Sequence, residues 1–551
     1  MSKSPDIFLT TAPALCLTTV FATGIAIRLH HLAWGWLLVL ELLCIALPWS
    51  QHRPGWAIAL AASALMGFLR MAVAEMPKLD NYRQFLPRDL ASAELRLIIR
   101  ETPLLEDSLV ELDIGRGQII ADLVTIQTLT DVTPRHATGR VALTSNDREL
   151  RQTLRNLQPG DVLFTQGTLV PLRSDEPLEA IYSNHLRSHG ILHQYEVHEF
   201  ELLASPPAHG IGRRLNQALR RLRVKLGRRL IQNIHSPEAA RFALALGLGM
   251  SEFMPQESRR RQVVSGTVHV FAISGMHIGM VTLLLSMMLH WSGLPLYWQW
   301  GMLALCSASY VLLTGSSVSS IRALWMVWLA LYAHWRFRRT AWLNTLGCAG
   351  GLALLANPWQ LLDLGFQYSH LTVLVLLLGA PLIQRHAQLL AERNAWLPRE
   401  LRPRHRTKVL QWFVCGLETS LIAWLGNLGL AMHLTPQLSW GAPLLNLPLG
   451  LLVALALALC PVRLLLGTLL PYYDRLWATI LEQSLRITEA VAESGYRSAF
   501  IYTHPLLPTW AVTGYYCVFF TALIYGNYIV DLPVFRKTTG TNRTCGTCGT
   551  R

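Results

Sequence analysis

Three polar groups interrupt an apolar stretch at 266–279, which reads GTVHVFAISGMHIG. His269, Ser274 and His277 stand there among residues otherwise fit for lipid. Ionisable side chains at membrane depth are costly and face a bundle interior or a water-filled cavity. Gly266, Gly275 and Gly279 weaken a helix and let another backbone come close. An interrupted helix lining a pathway and a packed helix whose histidines bond to neighbours explain the pattern equally well. A third chemistry is also open. Ser274 and His277 are three apart, so they could meet as nucleophile and base of an intramembrane hydrolase, with His269 the other candidate base. No oxyanion donor accompanies them.

Further polar groups sit at the heads of apolar runs. The segment 312–326, LLTGSSVSSIRALWM, places Arg322 after Gly315 and Ser319. Its guanidinium could snorkel to the interface or fork onto phosphate oxygens. The segment 357–370, NPWQLLDLGFQYSH, holds Asp363 and His370. Asp363 could pair with an arginine or cap a helix starting near residue 364. His185, His189 and His193 are spaced like ligands on one helical face. Gly190 argues against a continuous helix and no HExxH supports a site, so no metal is expected. Cys545 and Cys548 form a lone CxxC without a second ligand pair, and no cofactor follows from it.

The elements that must position these groups are mostly apolar. The chain has 551 residues, 52% hydrophobic and 15% charged, against about 25% charged in soluble domains. Its mean hydropathy is +0.32. Apolar segments near 7–27, 33–47 and 56–74 open the chain and predict N-terminal spans over 1–78. Others follow near 242–250 (short, re-entrant), 263–290, 294–313, 317–335, 341–357, 364–384, 409–433, 440–470 and 510–530. They predict a multi-span core over 241–475 and a last span within 476–530, preceded by an amphipathic helix at 476–495. The polar tail, 531–551, is expected to be disordered.

Between these regions, 79–205 reads as a soluble β domain. Strand-like stretches occur at 94–100, 109–114, 118–126, 140–144 and 161–170. Five short strands suit an OB-like barrel, with a plain β-sandwich as the alternative. The fold class expected is a polytopic α-helical membrane protein with an extracytoplasmic, all-β, OB-like domain inserted after the N-terminal spans. A basic amphipathic helix follows within 206–240. Its leucines recur at helical spacing, with Arg213, Arg214, Arg220, Arg221 and Arg228 among the basic residues between them. It could lie on lipid headgroups or track DNA phosphates.

The net charge is +14, from 48 basic and 34 acidic residues. Part of that excess reads as topology. The loop with Arg336, Arg338 and Arg339 and the loop from Arg385 to Lys408 are two spans apart, so both fall on the cytoplasmic side. The 79–205 domain then lies outside, on the periplasmic side of a bacterial inner membrane.

Taken together, the polar blocks resemble the ComEC competence family. Gly266, His269, Ser274, Gly275, His277 and Gly279 match its first block in order. Gly315, Ser319, Arg322 and Ala323 match a second, and Asn357, Pro358, Asp363, Gly365, Phe366, Gln367 and Ser369 a third. Tyr368 and His370 depart from the usual apolar residues there. YSNHLRSHGI is similar to the stretch that closes the family's soluble domain, so its histidines read better as family segment than as metal site. The resemblance covers about residues 1–530.

The resemblance implies a channel that carries single-stranded DNA into the cytoplasm during natural transformation. It also implies a cytoplasmic helicase-like ATPase and an external DNA-receptor protein as partners, besides membrane lipids. Many members carry a C-terminal metallo-β-lactamase-like domain proposed to degrade the other strand. No HxHxDH occurs here, so a form lacking that domain, or a truncated one, without nuclease activity, is expected. No GxxxxGK[ST] occurs either, so energy must come from a partner. The pathway or gating candidates are His269, Ser274, Gly275, His277, Gly279, Gly315, Ser319, Arg322 and Asp363, with no catalytic residue assigned. The alternatives are the intramembrane hydrolase and a small-solute transporter, for which paired repeats are lacking. Whether one chain or a homo-oligomer forms the pore is left open by the sequence.

Overall fold

A computed structural model describes residues 13–28, 54–75, 91–101, 119–128, 133–145, 160–172, 183–187, 190–204, 211–254, 256–267, 273–395, 406–497 and 501–531, with a few single positions between them. The expected span at 33–47, the expected strand at 109–114, His189, the CxxC and the 532–551 tail lie outside the described residues. Among the described residues two helices come first, α1 (Pro13–Arg28) and α2 (Pro54–Glu75), packed against each other.

Five strands follow: β1 (Ala91–Glu101), β2 (Ile119–Thr128), β3 (Arg135–Thr144), β4 (Val162–Pro171) and β5 (Ile191–Ala204). They close into a barrel of order β1-β2-β3-β5-β4, in which β3 and β5 are parallel and β1 pairs with β4. Closure sets aside the sandwich alternative, since a barrel leaves no free edges. Alternation explains the interior: Ala93, Leu95, Leu97 and Ile99 of β1 all point inward. Tyr195 of β5 crosses the barrel, its hydroxyl donating to the carbonyls of Ala93 (2.7 Å) and Thr165 (3.1 Å).

The strand β5 escaped the sequence reading because HQYEVHEFELL is too polar to announce itself. Its outer side carries acids and histidines, and only Ile191, Tyr195 and Val197 are buried.

The helical part begins with α3 (Ile211–Ile231), the basic helix, then α4 (Pro237–Leu248) and α5 (Gln256–Val264). Beyond the turn at Gly266 come α6 (Gly275–Trp291), α7 (Leu296–Leu313), α8 (Val318–Trp335) and α9 (Trp342–Ala356). The long helices α10 (Leu364–Ala395), α11 (Arg406–Leu434) and α12 (Ala442–Leu469) follow, then amphipathic α13 (Asp474–Arg497) and α14 (Thr509–Asp531). Short strands β6 (Gln437–Ser439) and β7 (Ile501–Thr503) pair between them.

Among the described residues, three helices are long and apolar enough to cross a membrane: Leu364–Leu390, Val409–Leu434 and Ala442–Leu469. The 440–470 region is therefore one helix, although Pro448 and Pro461 lie within it. The expected single span at 263–290 is corrected. α5 ends at Val264, Gly266 takes φ 74°, and α6 starts at Gly275. Two glycines and a capping serine break the run where hydropathy alone reads it as continuous. The segment expected as re-entrant at 242–250 is the buried helix α4, packed against α3, α12 and α13.

The amphipathic α3 divides along its length. Leu215 and Leu222 are exposed, while Leu230 at the C-terminal end is fully buried. That end is held by the buried Arg463 of α12, which donates to the carbonyls of Leu230 and Gln232. Arg229 returns the contact by donating to the carbonyl of Gly467 at 2.8 Å.

Candidate functional site

The three polar blocks, up to a hundred residues apart in the chain, meet at one end of α6, α8 and α10. Short connections make α6 to α9 an alternating set of hairpins that pack pairwise. One end carries exposed Trp291, Tyr297, Trp298, Tyr332, Trp335, Phe337 and Trp342, the pattern of an interfacial aromatic belt. The opposite end brings together the N-terminus of α6, the 314–317 turn and the N-terminus of α10. Helices of 17 and 18 residues are about 26 Å long. The polar blocks thus lie about one hydrocarbon thickness from the aromatic end.

Each helix start is made by its own sequence. Ser274 precedes α6, and His277 Nδ1 accepts the Ser274 backbone N–H at 3.1 Å while lying 2.8 Å from Ser274 Oγ. Gly315 and Ser316 take φ 92° and 54°, turning the chain from α7 into α8. Two successive left-handed residues disfavour all but small side chains at the first of them. Ser317 then accepts the Ser320 N–H at 3.3 Å as the cap of α8. Asp363 caps α10, its Oδ1 accepting the Phe366 N–H at 3.0 Å.

Cross-links tie the three starts together. Ser319 Oγ of α8 accepts the Gly275 N–H of α6 at 3.2 Å and lies 2.8 Å from Ser369 Oγ of α10. Ser317 Oγ donates to the carbonyl of Ile273 at 3.4 Å. Arg322 sits one turn into α8 with 4% of its surface exposed, and its side chain leans back toward the helix start, as helical side chains do. A Cβ on Gly275 would stand 3.2 Å from its Nη2, so glycine there makes room for the guanidinium.

The barrel region touches the same place. His185, in a helical turn at 183–187, places Nδ1 3.0 Å from Asp363 Oδ2. Asp363 therefore caps a helix and pairs with a histidine. His185 lies on that turn and His193 on β5, so these two do not share the helical face on which a metal reading depended.

The structure thus gathers Ser274, Gly275, His277, Gly315, Ser319, Arg322 and Asp363 at one end. One candidate stays apart, Gly279, which is exposed with open space around it; His269 contacts the backbone of Gly266. On α3, Arg214, Arg221 and Arg228 are exposed and Arg220 is half-buried; the side chain of Arg213 lies outside the described residues. Reading the sequence did not single out Ser317, Ser369 or Arg223 as site residues. Arg223 reaches from α3 to the carbonyl of Leu248 at 3.0 Å, and its guanidinium lies 3.4 Å from where a Gly315 Cβ would be. Among the described residues no group of three or more His, Cys, Asp or Glu side chains could hold a metal ion.

The profile of a family described as "Competence protein" matches residues 246–527. ComE operon protein 3 of Bacillus subtilis (strain 168) is 31% identical over 153 residues, which cover 27% of this chain and 19% of that protein. The chain therefore aligns with about a fifth of that relative's length. No solved structure matches.

Proposed function

Because the chain belongs to the competence protein family, we propose that it is an inner-membrane channel passing single-stranded DNA into the cytoplasm during natural transformation. The observation that carries this reading is the convergence of three separate polar blocks on one end of α6, α8 and α10, beside the barrel region. A polar seam at a helix end, backed by apolar helices, is where a charged substrate would enter a bilayer-embedded path.

The barrel has five strands with β3 parallel to β5 and β1 closing on β4, an arrangement suited to an OB-type fold. Such folds hold single strands by stacking and charge. On this reading the barrel stands on the periplasmic side and hands DNA to the seam, and the arginine loops near Arg336 and Arg385 face the cytoplasm. The division into N-terminal spans (1–78), barrel domain (79–205), basic helix (206–240), multi-span core (241–475) and amphipathic helix with last span (476–530) follows the same path. A cytoplasmic helicase-like ATPase would pull, an external receptor would deliver, and a homo-oligomer is one way to enclose the pore. The chain acts as a conduit and not as an enzyme.

The decisive experiment follows labelled DNA in a strain deleted for this gene. DNA held in the periplasm, with entry restored by the intact gene, is expected; normal entry into the cytoplasm without the gene overturns the reading.

One contact favours a second reading, an intramembrane hydrolase, because Ser274 Oγ and His277 Nδ1 lie within hydrogen-bond reach. The same Nδ1 accepts the Ser274 backbone N–H, which is the geometry of a helix cap. Ser274→Ala separates the two readings. A hydrolase loses all activity, whereas a channel with a weakened cap keeps most of its DNA entry.

A further inference from the structure

Arg322 poses an electrostatic problem that the described residues do not solve. It is 4% exposed, and its Nε and Nη1 atoms are buried without a hydrogen-bond partner. Among the described residues no carboxylate pairs with it. The groups around it make the charge harder to hold, since the N-terminus of α6 adds positive potential at Gly275. Ser319 and Ser369 bring hydroxyls, which can donate to an anion or accept from a cation. A buried cation without a counter-charge is strongly disfavoured. The same set of groups is what an anion requires: a guanidinium fork, a helix N-terminus and hydroxyl donors. Replacing Gly275 by any larger residue would close the space beside Nη2.

We propose that Arg322, the N-terminus of α6 at Gly275, and Ser319 with Ser369 form a receptor for one phosphodiester of the passing strand. The inference rests on the DNA-channel reading and assigns its substrate contact. Nucleic acid is favoured over a phospholipid headgroup because Arg322 is only 4% exposed and its Nη2 lies against Gly275 of α6, within the protein. The phosphate supplies the missing counter-charge when the seam opens, and Arg322 stays uncompensated when no strand is present.

This state of affairs reverses the usual effect of removing a buried arginine. Thermal melting of the detergent-purified full chain tests it, using wild type, Arg322→Met and Arg322→Lys, each alone, with an oligothymidylate, or with phosphatidylglycerol vesicles. Without DNA, Arg322→Met is expected to melt at or above wild type, because an apolar side chain replaces an unpaired charge. The oligothymidylate raises the wild-type midpoint. Arg322→Met binds it about tenfold or more weakly, and its salt slope is smaller by about 0.7, the value for one phosphate on a single strand. Arg322→Lys keeps the slope and binds less tightly.

Three outcomes overturn the proposal: Arg322→Met melting below wild type or failing to fold, a salt slope unchanged by the substitution, and a wild-type midpoint raised by the vesicles but not by the oligothymidylate. The channel reading itself falls on a different result, normal DNA entry in the deletion strain.

Discussion

Asp363 does two jobs with two oxygens, one capping α10 and one meeting His185. Its variants should separate them. Asp363→Ala removes both and is expected to cost about 1 kcal/mol from the cap alone, seen as a lower melting midpoint. His185→Ala removes only the contact with the barrel region, so it should leave the midpoint nearly unchanged while slowing DNA entry. Equal loss of stability in the two variants would place the importance of Asp363 in the contact rather than the cap. Gly275→Ala makes a sharper case, because its Cβ meets the Arg322 guanidinium at 3.2 Å. Reduced transformation with normal protein abundance is expected, measured by transformation frequency against immunoblot level. At this scale the sequence was informative about residue type. Polar groups within apolar runs marked Ser274, His277 and Arg322, and an aspartate before an apolar run suggested a cap. The partner of Asp363 was hidden, because a contact across 178 positions leaves no local trace.

The turn between α3 and α4 shows how elements are held. Glu482 of α13 accepts the backbone N–H groups of His235 at 3.1 Å and Ser236 at 3.0 Å. Burial works to raise the Glu482 carboxyl, but those two donors and the His235 side chain outweigh it and hold it below its usual range. A carboxylate lowered by folding contributes stability that is present above its unfolded value, about 4.3, and is lost as pH falls through the lower folded value. Glu482→Gln should therefore flatten the acid limb of the stability profile, measured by melting from neutral pH downward. The barrel offers a neutral comparison: Tyr195→Phe removes a hydroxyl bonded to two carbonyls and should cost about 1 kcal/mol at every pH below the phenol's range. Helices with clear periodicity, such as α3 and α13, were legible as elements. β5 was not, since a strand whose outer side faces water carries half its pattern in polar residues. The break before α6 was missed for the opposite reason, because average apolarity over a long window masks two glycines.

For the whole molecule, apolar content announced a membrane protein and the order of the blocks announced the family. The meeting of those blocks could not be read, because it depends on hairpin directions that place 275, 315 and 363 at one end. Arg463 adds a consequence for the order of events during synthesis. The end of the basic helix α3 is completed by donors from a residue more than two hundred positions later. A nascent chain that has delivered the barrel and α3 must wait for α12 before the carbonyls of Leu230 and Gln232 find their partners. Long-range closure of this kind slows assembly. Ribosome-stalled chains ending before residue 463 should show rapid hydrogen exchange near the end of α3, and chains stalled well beyond it should show protection. The end of the basic helix would then settle late, docked by a helix that is made long after it.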